Sequence, residues 1–288
     1  MILIRQFGRL PSYAHNKRKS VVGMSNSMSP HKIGRDSWRY VLLIVVVFGS
    51  LGSLLTLPPI PQDATYHTFV DTRMFFGIPN CLDVVSNLPF LLVGCLGLRL
   101  CFICELGPAR HAWTLLFVSL GLVSAGSAYY HWNPNNDSLV WDRLPMTVGF
   151  MSLFAALVGE YIHQRVGKLL LWPAVLIGLA SVLYWYWADD LRLYVWVQLV
   201  PLLLIPVVML MFGSVYTHDW LLLIALGWYV IAKVAEAYDG PILNGTVGVM
   251  SGHSMKHLFA AAGGYSIYLM LSRRNTVEDE GQRYTRSG

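Results

Sequence analysis

Charge is what this chain has least of. Asp, Glu, Lys and Arg make up only 13% of it, while 55% of its residues are hydrophobic. So few charged groups do not suit the surface of an ordinary water-soluble domain, and the composition is that of a membrane protein. Cysteine is scarce as well. Cys81, Cys95, Cys101 and Cys104, three of them along one apolar run, exclude a disulfide framework. Cys101-Phe-Ile-Cys104 has redox or metal spacing, but no second pair accompanies it, and it reads as membrane thiols near a helix end. Residues 1–39 lack the apolar core and small-residue cleavage site of a secretory signal. No internal repeat is evident, and no linker is long enough to separate domains, so one helical membrane domain is expected.

Long apolar runs are what the chain does have. A bilayer core about 30 Å thick needs roughly 20 such residues per helix. About eight stretches qualify or nearly so, at Tyr40 to Leu57, Val84 to Cys104, Ala112 to His131, Leu144 to Ile162, Leu169 to Trp187, Leu193 to Phe212, Trp220 to Tyr238 and Val249 to Leu271. They predict an all-α, polytopic membrane helix bundle with an N-terminal transmembrane helix at residues 40–58. The flanks, residues 1–39 and 273–288, read as a disordered basic tail and a short solvated tail. Arg5, Arg9, Lys17, Arg18, Lys19, Lys32, Arg35 and Arg39 fill the first tail, and Arg110, Arg165, Lys168, Arg273 and Arg274 fall in alternate loops on the same side. The other side has only Arg73, Arg143 and Arg192, so the positive-inside rule predicts both termini cytoplasmic. This asymmetry accounts for the net charge of +5, and no nucleic-acid partner is expected.

Within this frame the segment Ser127-Ala-Tyr-Tyr-His131-Trp-Asn-Pro-Asn-Asn-Asp-Ser-Leu-Val-Trp-Asp142 leaves one apolar run and enters the next. Ser127 and His131, four apart, share a helical face, and Asp142 opens the following helix. Downstream, His253 and His257 are again four apart inside an apolar run. The topology brings all five to one depth. His15, His31, His67, His111, His163 and His218 fall in tails and loops instead. Ionisable residues inside a bilayer are costly and mark function. Three imidazoles can hold zinc at roughly 2.0–2.1 Å with a fourth position open to water, whose pKa the metal lowers to about 7. Asp142 is then a general acid–base, and Ser127 a donor to an oxyanion or to that water. A serine nucleophile has no base-plus-orienter arrangement to activate it.

These residues, with Asn80-Cys-Leu-Asp-Val-Val-Ser86-Asn87-Leu-Pro-Phe, resemble the alkaline ceramidase family within a superfamily of seven-helix membrane hydrolases. The resemblance covers about residues 75–272 as a seven-helix core. It implies that His131, His253 and His257 bind zinc, that Asp142 and Ser127 are catalytic, and that a membrane lipid, ceramide or a related N-acyl lipid, is cleaved to a sphingoid base and a fatty acid. Characterised members also bind calcium through an acidic segment and a Glu near the first core helix. Here Asp71-Thr-Arg-Met-Phe-Phe-Gly-Ile-Pro-Asn80 stands there, with Asn80 in place of the Glu, so calcium does not carry over. A hydrolase of another lipid bond and a receptor resembling the progestin and adipoQ receptor family are alternatives. A transporter would show interrupted helices in matching halves.

Other polar residues in the apolar runs call for partners. Glu236 or Asp239 is placed to pair with Lys256 or to orient an imidazole, with Lys233 close by. Tyr184-Trp-Tyr-Trp187 reads as an interfacial aromatic belt.

Overall fold

Apolar side chains alone do not choose a secondary structure in lipid; the backbone does, because each N–H and C=O must find its partner within the segment, which a helix provides. The computed structural model describes residues 30–277, with side chains from residue 37 on. The tail expected over residues 1–29, and residues 278–288, lie outside the described residues. Among those described there are no β-strands, only two isolated bridges.

In chain order the helices are α1 (Pro30–Ile44), α2 (Ser50–Thr56), α3 (Cys81–Val85), α4 (Leu88–Ile103), α5 (Arg110–Trp132), α6 (Asn136–Leu157), α7 (Gln164–Ala188), α8 (Arg192–Met211), α9 (Leu221–Ala237), α10 (Asp239–Gly245) and α11 (Gly252–Arg273). Wider π-turns link α1 to α2 and extend α6 as far as Ile162. The first helix begins at Pro30, ahead of the Tyr40 start read from hydropathy, because the polar turns before an apolar stretch continue its backbone ladder. The described residues divide into two units at Val41. The second unit, from Leu42 onward, contains the helix bundle and all three buried histidines.

Among the described residues six helical segments are long and apolar enough to cross a membrane: Ser37–Thr56, Cys81–Ile103, Arg110–Trp132, Asn136–Ile162, Gln164–Ala188 and Arg192–Met211. The pair α9 and α10 makes a seventh if it is one span, but it bends by 85° at Tyr238. At 22 residues α11 is long enough too, but His253, Lys256 and His257 interrupt its apolar character. Prolines lie inside α6, α7 and α8. Bundle interiors tolerate this because neighbouring groups satisfy the freed carbonyls.

Packing runs α4 on α5, α5 on α6, α6 on α7 and α8, and α9 on α11, which closes on α4. Small residues set the closest crossings. A Cβ on Gly126 would lie 2.1 Å from the Trp141 carbonyl oxygen, and one on Gly252 the same distance from that of Ala235. One end of the bundle is tied by Arg274, whose guanidinium donates to both Glu160 oxygens at 2.9 Å while Trp113 Nε1 donates to Oε1 at 2.7 Å. At the other end Asp190, between α7 and α8, accepts from the Arg192 guanidinium, and this bond holds its carboxyl down at a pKa of about 2.

Arg143, read as a sparse loop charge, is buried in α6 with its guanidinium 4.0 Å from the Trp185 ring and 4.6 Å from that of Tyr194. Trp185, read as part of an interfacial belt, is therefore a core residue, whereas Trp187 beside it is exposed. Aromatic faces stabilise a desolvated cation.

Candidate metal centre

The site is assembled by a turn and two glycine contacts. Asn133-Pro134 stops α5, and a capping box restarts the chain as α6: Asn135 Oδ1 accepts from the Ser138 amide at 2.9 Å while Ser138 Oγ accepts from the Asn135 amide at 3.2 Å. The close contact at Gly126, where a Cβ would lie 3.4 Å from the Asp142 amide nitrogen, then holds the Ser127 turn of α5 against the Asp142 turn of α6. On the far side, Ser251 caps α11 by accepting from the Ser254 amide, and Asp239 accepts from the His253 amide at 2.8 Å.

His131, His253 and His257 come together and are buried; one nitrogen of each lies within 4.8 Å of the others. Ring centroids are 4.8, 4.8 and 5.2 Å apart, and His131 Nε2 is 3.4 Å from His253 Nε2. Two ligands of a tetrahedral ion bound at roughly 2.0–2.1 Å stand about 3.3–3.4 Å apart, so this pair already has the spacing of a coordination edge. The third imidazole presents a bare lone pair. Ser86 Oγ donates to the Asp83 carbonyl at 3.1 Å, so at its 2.8 Å contact with His257 Nδ1 it accepts. His257 Nδ1 then carries the proton, and Nε2 is buried with no partner. An orphaned buried nitrogen is costly unless something takes it. The donor set fits a transition ion bound by neutral imidazoles.

Around the three rings stand groups to which the sequence assigned no role at the metal centre. The Phe69 ring lies 4.7 Å from that of His131 and 5.1 Å from that of His253, an apolar cover from the segment before α3. Asn80 Nδ2 donates to the His131 carbonyl at 2.9 Å, tying the start of α3 to the end of α5. Asp83 is buried and accepts from Ser254 Oγ at 2.6 Å. The segment carrying Phe69 is itself pinned: the Arg73 guanidinium donates to Asp71, holding that carboxyl below its usual range, and to the carbonyls of Gly248 and Val249 just before α11. The Asn80 to Asn87 motif pointed to part of this layer, but nothing in the sequence marked Phe69.

Of the remaining acids and lysines, Glu236 pairs with Lys256 at 2.9 Å and with Lys233, and neither Glu236 nor Asp239 accepts from an imidazole among the hydrogen bonds described. Lys256 Nζ also lies 2.9 Å from His253 Nε2.

No protein-family model matches this sequence, and no curated protein matches it. The chemistry rests on the residues themselves: an all-helical apolar bundle holding a three-histidine group that can bind a metal ion, with Asp142 and Ser127 also buried.

Proposed function

We propose that this chain is a zinc-dependent membrane hydrolase that cleaves the amide bond of ceramide or a related N-acyl lipid, releasing a fatty acid and a sphingoid base. The observation that carries the reading is the buried His131, His253 and His257 group with its unpartnered His257 Nε2; Ser127 and Asp142 are buried as well. The three imidazoles would hold the ion, and the aliphatic bundle around them would accept acyl chains.

When bound, zinc polarises an acyl carbonyl and lowers the pKa of water. Asp142 takes the proton released as a water oxygen bonds to the carbonyl carbon, and returns it to the nitrogen as the C–N bond breaks. Ser127, buried one turn before His131 on α5, is the hydroxyl available to a developing oxyanion. Phe69 keeps bulk water from the histidine rings, which strengthens each of these polar contacts.

The test is fatty-acid release from a panel of ceramides by purified wild type, chelated and zinc-restored protein, together with His257→Ala and Asp142→Asn. Activity should vanish with chelator, return with zinc and be absent from both variants. Zinc bound stoichiometrically with no release from any ceramide would discard the ceramide assignment, leaving another lipid bond or a receptor role. The same reading places both termini in the cytoplasm and the histidines towards the extracytoplasmic leaflet. An impermeant thiol reagent applied to intact cells should therefore label a cysteine put at Val247, and labelling of one put at Gly213 instead would reverse the topology.

A further inference from the structure

The histidine group carries a cation of its own. Lys256 sits between the two α11 histidines in sequence, and its ammonium bridges two acceptors, Glu236 Oε1 at 2.9 Å and His253 Nε2 at 2.9 Å. An ammonium only donates, so at this contact His253 Nε2 must accept, which fixes its proton on Nδ1. Nε2 is the nitrogen that also faces His131 Nε2 at 3.4 Å. The lone pair that Lys256 occupies is the one a metal ion would need, and one lone pair serves one partner. Glu236 does not cancel the charge: its other oxygen is held by Lys233, so one carboxylate is shared between two ammonium groups. Lys256 and Glu236 are both largely shielded, with side chains 17% and 18% exposed. Solvent therefore screens the remaining positive charge only partly.

We propose that Lys256 is a positioning residue that competes with the metal for His253. Without the ion it holds the imidazole in the tautomer that ligates; the ion displaces it from Nε2, and it stays on Glu236, close enough to repel a dication. The centre therefore binds its metal more weakly, and releases it more readily, than three histidines alone would. The inference rests on the metal-centre reading above.

Zinc affinity, measured by chelator competition on the full-length purified protein, tests it independently of turnover. Lys256→Met keeps the aliphatic stem and removes the charge, and Lys256→Gln does so with a polar tip; both should bind zinc about tenfold or more tightly than wild type, since a like charge beside the ion is removed. Lys256→Arg retains a cation and should stay near wild type. A residue that merely supports the fold would give weaker or unchanged binding on neutralisation. If wild type binds zinc and neither neutral variant binds it more tightly, the competition is overturned while the metal centre stands. If no form binds zinc, the metal centre falls and this proposal with it. Zinc binding that appears only on neutralisation supports both, and either neutral variant alone decides if the other does not fold.

Discussion

His257 makes the most specific demand on its surroundings. Its Nδ1 proton is directed by Ser86 and its Nε2 is left open, so the hydroxyl of Ser86 decides which nitrogen faces the other two histidines. Ser86→Ala should lower zinc affinity by about tenfold, the usual cost of removing a group that orients a metal ligand, with little change in thermal stability. Equal affinity in chelator competition would show that another group fixes the ring. The histidines themselves were legible in the sequence, because His131, His253 and His257 stand inside apolar runs and two of them share a face by their spacing. The motif around Ser86 and Asn87 was visible too, but not the hydrogen bond to His257, because that contact joins residues 171 positions apart. Lys256 was read as a partner for an acid, and it is one; its second contact depends on how far its own side chain folds back, which spacing does not specify.

Between elements, the α5–α6 crossing sets how closely the turns carrying Ser127 and Asp142 approach. Gly126→Ala would force a Cβ against the Trp141 carbonyl, a backbone atom that cannot give way cheaply. About 1–3 kcal/mol of stability should be lost, as for other overpacked contacts. Gly121→Ala in the same helix meets nothing within 4 Å and serves as control. Thermal unfolding of the two variants separates the outcomes, and equal melting temperatures would show that the crossing has room to open. Most of the helices were legible because apolar length is a strong signal in a chain this poor in charge. The break between α3 and α4 was not, since it falls at Ser86-Asn87 inside the apolar stretch read from Val84 to Cys104; the short α10 was not either, because it lies beyond the apolar run that ends at Tyr238. Arg143 was misplaced for a related reason. Trp185 and Tyr194, which make its burial tolerable, come from α7 and α8 and announce nothing in the local sequence.

For the molecule as a whole, the two ends of the bundle are built differently. One is closed by the Glu160 and Arg274 ion pair, whereas the other holds the histidines beneath a loop pinned by Arg73. The aromatic cover at Phe69 turns that loop into a clock. An ion held by the three histidines cannot reach a water-borne chelator faster than the segment before α3 lifts, so its residence time belongs to the loop as much as to the ligands. Phe69→Ala should quicken zinc loss to excess chelator while leaving equilibrium affinity nearly unchanged. An unaltered rate would mean that the ion leaves sideways, between helices, along the route an acyl chain would take to arrive.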